Sequence, residues 1–267
     1  MRSKWSRRNS TNNPDAVRTL LDARVSLYNR PDFIPHDPIA IPHAYTRLQD
    51  IEIAGFWTAV LSWGLRKTIL NKARALFALM DNAPYDFILH HQEKDRKRFL
   101  EFRHRTFQVT DTLYFLEFLQ QYYRSCHSLE DAFIAGGHQS GTFDMRASLI
   151  HFHNQFFDHP HAPHRTRKHI SSPKNDAGCK RINMFLRWMV RDDACGVDFG
   201  LWKRINKADL MIPLDVHVHR IATSLGVLSR PDTGWKAVEE LTGVLRTFDP
   251  HDPVKYDFAL FGMGVLE

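Results

Sequence analysis

The chain has 267 residues, 43% apolar and 25% charged, which suits one large globular domain or two packed lobes sharing a cleft. No window of about eighteen uncharged apolar residues occurs, and the polar, basic start lacks the apolar run of a secretory signal, so neither a membrane span nor export is expected and the cytosol is the expected location. Cys126, Cys179 and Cys195 are odd in number and lack CxxC spacing, which excludes a disulfide framework or four-cysteine metal site, while a net charge of +6 with sixteen histidines favours an acidic partner such as a nucleic acid.

Residues 1–13 mix Arg2, Lys4, Arg7 and Arg8 with Ser, Asn and Thr, and are expected to form a flexible basic arm ahead of a single domain spanning 14–267. From Pro14, the residues Val17, Leu20, Leu21 and Val25 repeat at helical spacing, and the proline-rich stretch 30–42 then reads as loop. Ile53, Phe56, Val60 and Leu61, then Ile69, Ala73, Leu76 and Phe77, predict two helices separated by a tight turn at Trp63-Gly64. Further helices are expected near 112–124, 128–135 and 143–157, followed by a histidine- and proline-rich loop over 158–174. Helices are then expected at 179–190, from Asp215, and around 235–247 and 252–263, with no convincing strand, so the fold class is all-α.

Two segments carry chemistry. Asp176-Ala177-Gly178-Cys179-Lys180-Arg181-Ile182 reads as a glycine turn opening a helix with Lys180 in its first turn. A helix N-terminus disfavours a cation, so an amine desolvated there is pushed toward its neutral, nucleophilic form. Ile212-Pro213-Leu214-Asp215-Val216-His217 places a carboxylate just after a proline at the start of another helix, where it can serve as N-cap and as an oriented anion.

Together, Gly178-x-Lys180 and Pro213-x-Asp215-Val216-His217 resemble the catalytic region of the helix-hairpin-helix DNA glycosylases, most closely the 8-oxoguanine glycosylase branch. The resemblance implies a two-lobed helical bundle with a central cleft, in which lysine attacks the sugar C1′ of a flipped nucleotide, aspartate stabilises the developing positive charge, and the Schiff base that forms can undergo β-elimination. Carried over, Lys180 is the nucleophile, Asp215 the carboxylate, His217 a phosphate contact, and Gly178 part of a hairpin whose amides hold a phosphate. Damaged, duplex DNA is the implied partner, and the chemistry calls for no cofactor. Lys168, Lys174, Arg181 and Arg220 supply a basic frame for a polyanion. The turn Trp63-Gly64-Leu65-Arg66-Lys67 resembles the place where family members fill the gap left by the extruded base, which makes Trp63 or Arg66 a candidate wedge and Arg66 and Lys67 candidate phosphate contacts. The whole chain also resembles a bacterial group of conserved proteins of unknown function that keep these motifs.

The chain departs from the glycosylase pattern in having one glycine in the hairpin and an insert, 191–207, that is expected to loop out. Other readings stand beside the catalytic one. Lys180 in a first turn can be a solvated lysine, and Asp215 can be only a cap. A non-catalytic nucleic-acid-binding module on the same fold is one alternative, and a metal-dependent hydrolase built on Asp215, His217 and His219 is another. Loop histidines 151, 153, 159, 161, 164 and 169 are expected to be solvated rather than gathered at a metal, and Trp57, Trp63, Trp188 and Phe185 to lie in the core, with base stacking the alternative for Trp63.

Overall fold

Helix α2 (Leu48–Leu61) is the rod on which the molecule is built: residues 51–61 are all buried, so no face of it meets solvent. In the computed structural model, which describes residues 13–139 and 142–265, it is surrounded by α1 (Pro14–Tyr28), α3 (Arg66–Ala78), α4 (Pro84–His90), α5 (Val109–Tyr123), α6 (Glu130–Gly137), α7 (Met145–Phe156), α8 (Lys180–Val190), α9 (Val216–Ser224), α10 (Trp235–Phe248) and α11 (Tyr256–Val265). The fold is all-α apart from a small hairpin, His138–Gln139 paired antiparallel with Thr142–Phe143. Among the described residues no helix is long and apolar enough to cross a membrane. Apart from Asn13, the expected basic arm lies outside the described residues.

The helices begin where their first residues allow. Pro14 occupies the first turn of α1, where its missing N–H is no loss, and the Asn13 side chain accepts from Asp15 N. The turn between α2 and α3 falls at Trp63-Gly64, as the periodicity predicts, with Gly64 at φ +96°. Helix α8 lies directly on α2. At their crossing a Cβ on Gly55 would come within 3.2 Å of Met189 Cε and 3.3 Å of the Phe185 ring, so the missing side chain lets the two backbones approach. Elsewhere α6 packs on α7, and α11 packs on both α1 and α9. Trp57, Trp188 and Phe185 are fully buried, as their apolar neighbours suggest.

The segment after α8 overturns the expected looped-out insert. Phe199 N donates to Trp188 O at 2.8 Å and Trp202 N to Met189 O at 2.9 Å, folding the chain back along α8. Val197, Trp202 and Ile205 are buried, and the Trp202 indole donates to Glu52 Oε1 at 2.7 Å. Arg191, also buried, donates from Nε to both oxygens of Asp252 (3.1 and 3.0 Å) and from Nη1 to Asp198 Oδ2 at 3.0 Å. The insert is therefore a part of the core that lacks helical period because its backbone partners lie on another element.

Candidate active site

The loop before α8 is fixed from outside. Asp176 takes a left-handed conformation (φ 54°), its carbonyl accepts from Trp235 N at 3.1 Å, and its Oδ1 accepts from Lys236 N at 3.2 Å, so the loop docks on the start of α10. Gly178 does not supply the positive φ of the turn; Asp176 and Cys179 (φ 49°) do. Gly178 is needed for a different reason, because a Cβ there would sit 2.3 Å from Thr233 O. The hairpin that the motif suggests is a single 3-10 turn (Pro173–Asn175) before α8. Lys180 is the first residue of α8, held at a defined place by these contacts.

Asp215 is the N-cap of α9. Its Oδ1 accepts from His217 N at 2.9 Å and Val218 N at 3.0 Å. This leaves Oδ2 facing Lys180 Nζ at 3.9 Å, an ionic contact too long for a direct hydrogen bond. Capping and charge placement thus use different oxygens of one carboxylate. Both side chains remain partly open to solvent, 27% for Lys180 and 22% for Asp215. The other near neighbour of Nζ is Met184 Sδ, at 3.6 Å.

Lys180 and Asp215 meet on the wall of a cavity of about 690 Å³. Phe33, Pro38, Met184 and Phe261 give it apolar surface, while Asp37, Arg66, Arg187 and Asp257 add charge. Asp257 and Asp37 are carboxylates that sequence reasoning missed. Burial, with Asp215 acting in the same direction, pushes the Asp257 carboxyl up to about 6 against the opposing pull of Arg187 and Lys180. The Arg187 guanidinium lies directly on it. Burial also raises the Asp37 carboxyl, although its Oδ1 accepts from Ile39 N at 3.0 Å. A signal for Asp257 was present in the sequence as a lone acid within the apolar run Tyr256-Asp257-Phe258-Ala259-Leu260-Phe261.

The other expected site residues divide. His217 is exposed on the cavity wall, and its ring has no hydrogen-bond partner among the described residues. Arg66 also lines the cavity, while Lys67 is exposed next to it. Trp63 lines the cavity but is half-buried, stacked on His169 at 5.6 Å with the Arg181 guanidinium 4.9 Å from its ring centre. The exposed apolar residue of that turn is instead Leu65, 76% open. Arg181 is a strut: it donates to Val60 O at 2.7 Å and Lys168 O at 3.1 Å, and burial lowers its guanidinium to about 10. Arg220 lies outside the cavity lining and donates to Gly264 O at 2.7 Å, at the end of α11. His219 Nε2 donates to Arg230 O, 2.9 Å away, rather than joining Asp215 and His217. Among the described residues no three His, Cys, Asp or Glu side chains converge as a metal site would require. The expectation of solvated loop histidines fails for three of the six: His151 and His153 lie in α7, with His153 Nδ1 donating to Ile170 O at 2.8 Å, and His169 is buried beside Asp111.

Fold and site together define an all-α protein with a lysine and a carboxylate at adjoining helix starts, facing a cavity with a buried acidic floor. The chain belongs to a family described as protein of unknown function (DUF2400), whose model matches residues 37–266 and so takes in Lys180, Asp215, Asp37 and Asp257. No curated protein and no solved structure matches it.

Proposed function

We propose that the protein is a base-excision DNA glycosylase with associated AP-lyase activity, built on a two-lobed helix-hairpin-helix glycosylase fold whose cleft is the cavity at Lys180. The observation that carries this reading is the meeting of Lys180 Nζ and Asp215 Oδ2, far apart in sequence, at 3.9 Å on the wall of a cavity of about 690 Å³. A space of that size is within the range of small-molecule sites and suits a flipped purine nucleoside between apolar walls.

In the proposed reaction the Lys180 ammonium first gives a proton to the solvent that reaches it; the amine then attacks C1′ as the glycosidic bond breaks, and the bonding electrons leave with the base. Asp215 Oδ2 stabilises the positive charge that develops on the sugar. Asp257, the cavity carboxyl held up to about 6, is suited to return a proton to the departing base. Ring opening and loss of the amine proton give a Schiff base. Removal of a 2′ proton then expels the 3′ phosphate, and water releases the lysine. His217, with its unengaged ring, is suited to a phosphate flanking the nucleotide. The test is strand cleavage of duplexes carrying 8-oxoguanine, other oxidised purines or an abasic site. Cleavage by the parent that is lost in Lys180→Ala and strongly reduced in Asp215→Asn is the expected result. Binding of DNA without cleavage of any of these substrates would leave a binding module on the same fold.

A further inference from the structure

Helix α3 leads away from the cavity, and its two faces differ sharply. Ile69, Ala73, Leu76 and Phe77 are buried, while Arg66, Lys67, Asn71 and Arg74 face a shallow groove of about 560 Å³ closed on its far side by Pro35 and His36. The groove and the catalytic cavity share Arg66 and so adjoin each other. Helix α3 contains Arg66, Lys67, Lys72 and Arg74 and no acidic residue. Among the described residues, neither Lys67 nor Arg74 has a carboxylate within ion-pair distance, although Arg and Asp pair freely elsewhere, as at Arg98–Asp81 and Arg47–Asp86.

Two of these cations stand where helix physics does not favour them. Arg66 and Lys67 are in the first turn of α3, whose N-cap, Leu65, offers no side-chain acceptor. A positive charge there opposes the helix dipole. Arg66 is met by the Phe261 ring, 5.6 Å from its guanidinium, but Lys67 opposes the helix dipole with no carboxylate partner among the described residues, as a surface awaiting an anionic ligand would. The spacing fits a polyanion. Lys67 and Arg74 lie seven residues apart on one face, about 10 Å along the axis, which spans about three nucleotide steps at about 3.4 Å each.

We infer that the outer face of α3, with the His36 loop opposite, is the track for the phosphodiester backbone of the strand whose nucleotide enters the cavity. This rests on the proposed reading of the site. Arg66 sits at the junction, and Lys67 and Arg74 hold phosphates about three steps apart as the strand leaves. The track recognises charge and spacing rather than base sequence.

The experiment compares the full-length protein with Lys67→Glu/Arg74→Glu and with Lys94→Glu/Lys97→Glu, which makes the same change of net charge at exposed residues lining neither cavity. Binding to a fluorescent duplex carrying an abasic site is followed by anisotropy across a salt series, with borohydride trapping at saturating protein in parallel. The α3 pair is expected to weaken binding about tenfold or more near 0.1 M salt and to lower the slope of log K against log salt by about 2. Its trapped adduct should persist at saturation, and the control pair should change both binding quantities far less. Equal losses from both pairs would reduce the effect to net charge and overturn the inference. Unchanged binding by the α3 pair, with the Lys180 adduct intact, would overturn the track and leave the catalytic reading standing. A parent that binds and loses affinity on α3 substitution, yet never forms an adduct, would keep the track and remove the lyase. A parent that binds no oligonucleotide would remove both.

Discussion

Two carboxylates, Glu52 and Asp215, separate what holds this molecule together from what it offers to a ligand. Glu52 is fully buried in the middle of α2, and it is saturated: it accepts from Tyr123 OH at 2.8 Å, Leu129 N at 3.1 Å, the Trp202 indole at 2.7 Å and the Ser128 hydroxyl. Those donors come from α5, the start of α6 and the segment after α8, so one side chain ties three distant parts of the chain to the central rod. Burial still pushes its carboxyl above the usual range, because four donors offset a large desolvation and do not erase it. Asp215 spends one oxygen on a helix cap and leaves the other beside a lysine at 3.9 Å, with solvent in reach. Where every lone pair is engaged the charge is architectural; where one is held open at a cavity, a substrate can use it.

That contrast can be broken from either side. Lys180→Ala should lower strand cleavage about a thousandfold or more, since among the described residues no second amine lines the cavity. The same variant should keep its thermal midpoint within a few degrees, because the pair is loose and partly exposed. Glu52→Ala should behave in the opposite way. It strips the acceptor from the buried Trp202 indole and Tyr123 hydroxyl and opens a hole in the core, so a loss of about 3–5 kcal/mol in chemical denaturation is expected. A Glu52→Ala protein as stable as the parent would contradict the architectural role.

Smaller effects sharpen the comparison through pH. Asp111, buried under the loop that follows α7, is raised by burial, but His169, Gln108 N and Thr166 outweigh that and hold it down at about 2. A depressed carboxyl gives stability that is full above the unfolded value near 4 and is lost as pH falls through about 2. The parent should therefore exceed Asp111→Asn by roughly 2 kcal/mol at neutral pH, and the gap should close between about pH 4 and 2. Asp257 has the reverse sign. Its carboxyl is raised to about 6, so the folded state binds the proton more tightly, and its contribution is full below about pH 4 and declines as pH rises through 6. Stability of Asp257→Asn relative to the parent should accordingly rise across that window. A pair of variants with the same pH dependence would show that the two carboxyls do not sit in the opposite environments described.

Much of this was legible in the sequence where the signal is local. Helical period marked α2 and α3 and the turn between them, and the proline before Asp215 marked a cap that the side chain does make. The glycine before Lys180 marked a constrained turn, although the left-handed residues are its neighbours Asp176 and Cys179, and the glycine serves close packing against Thr233. What was not legible depends on partners remote in sequence. The 191–207 segment has no period because it is satisfied by Trp188 O, Met189 O and buried acids. Arg181 looked like a free cation, yet its guanidinium is taken up by carbonyls of residues 60 and 168. Trp63 reads in the sequence as core or as a wedge at the turn; it is half-buried and stacked on His169, and Leu65 takes the open position. A lone charge within an apolar helical run was the usable sign, and it marks both Asp257 and Arg187, which meet at the cavity floor.

The most direct test is borohydride trapping of the full-length protein on duplexes carrying an abasic site or 8-oxoguanine, followed by peptide mapping of the cross-link. The account predicts a covalent adduct on the peptide containing Lys180, absent in Lys180→Ala. A well-folded protein that forms no adduct on either duplex, or whose adduct maps to another lysine, would contradict it.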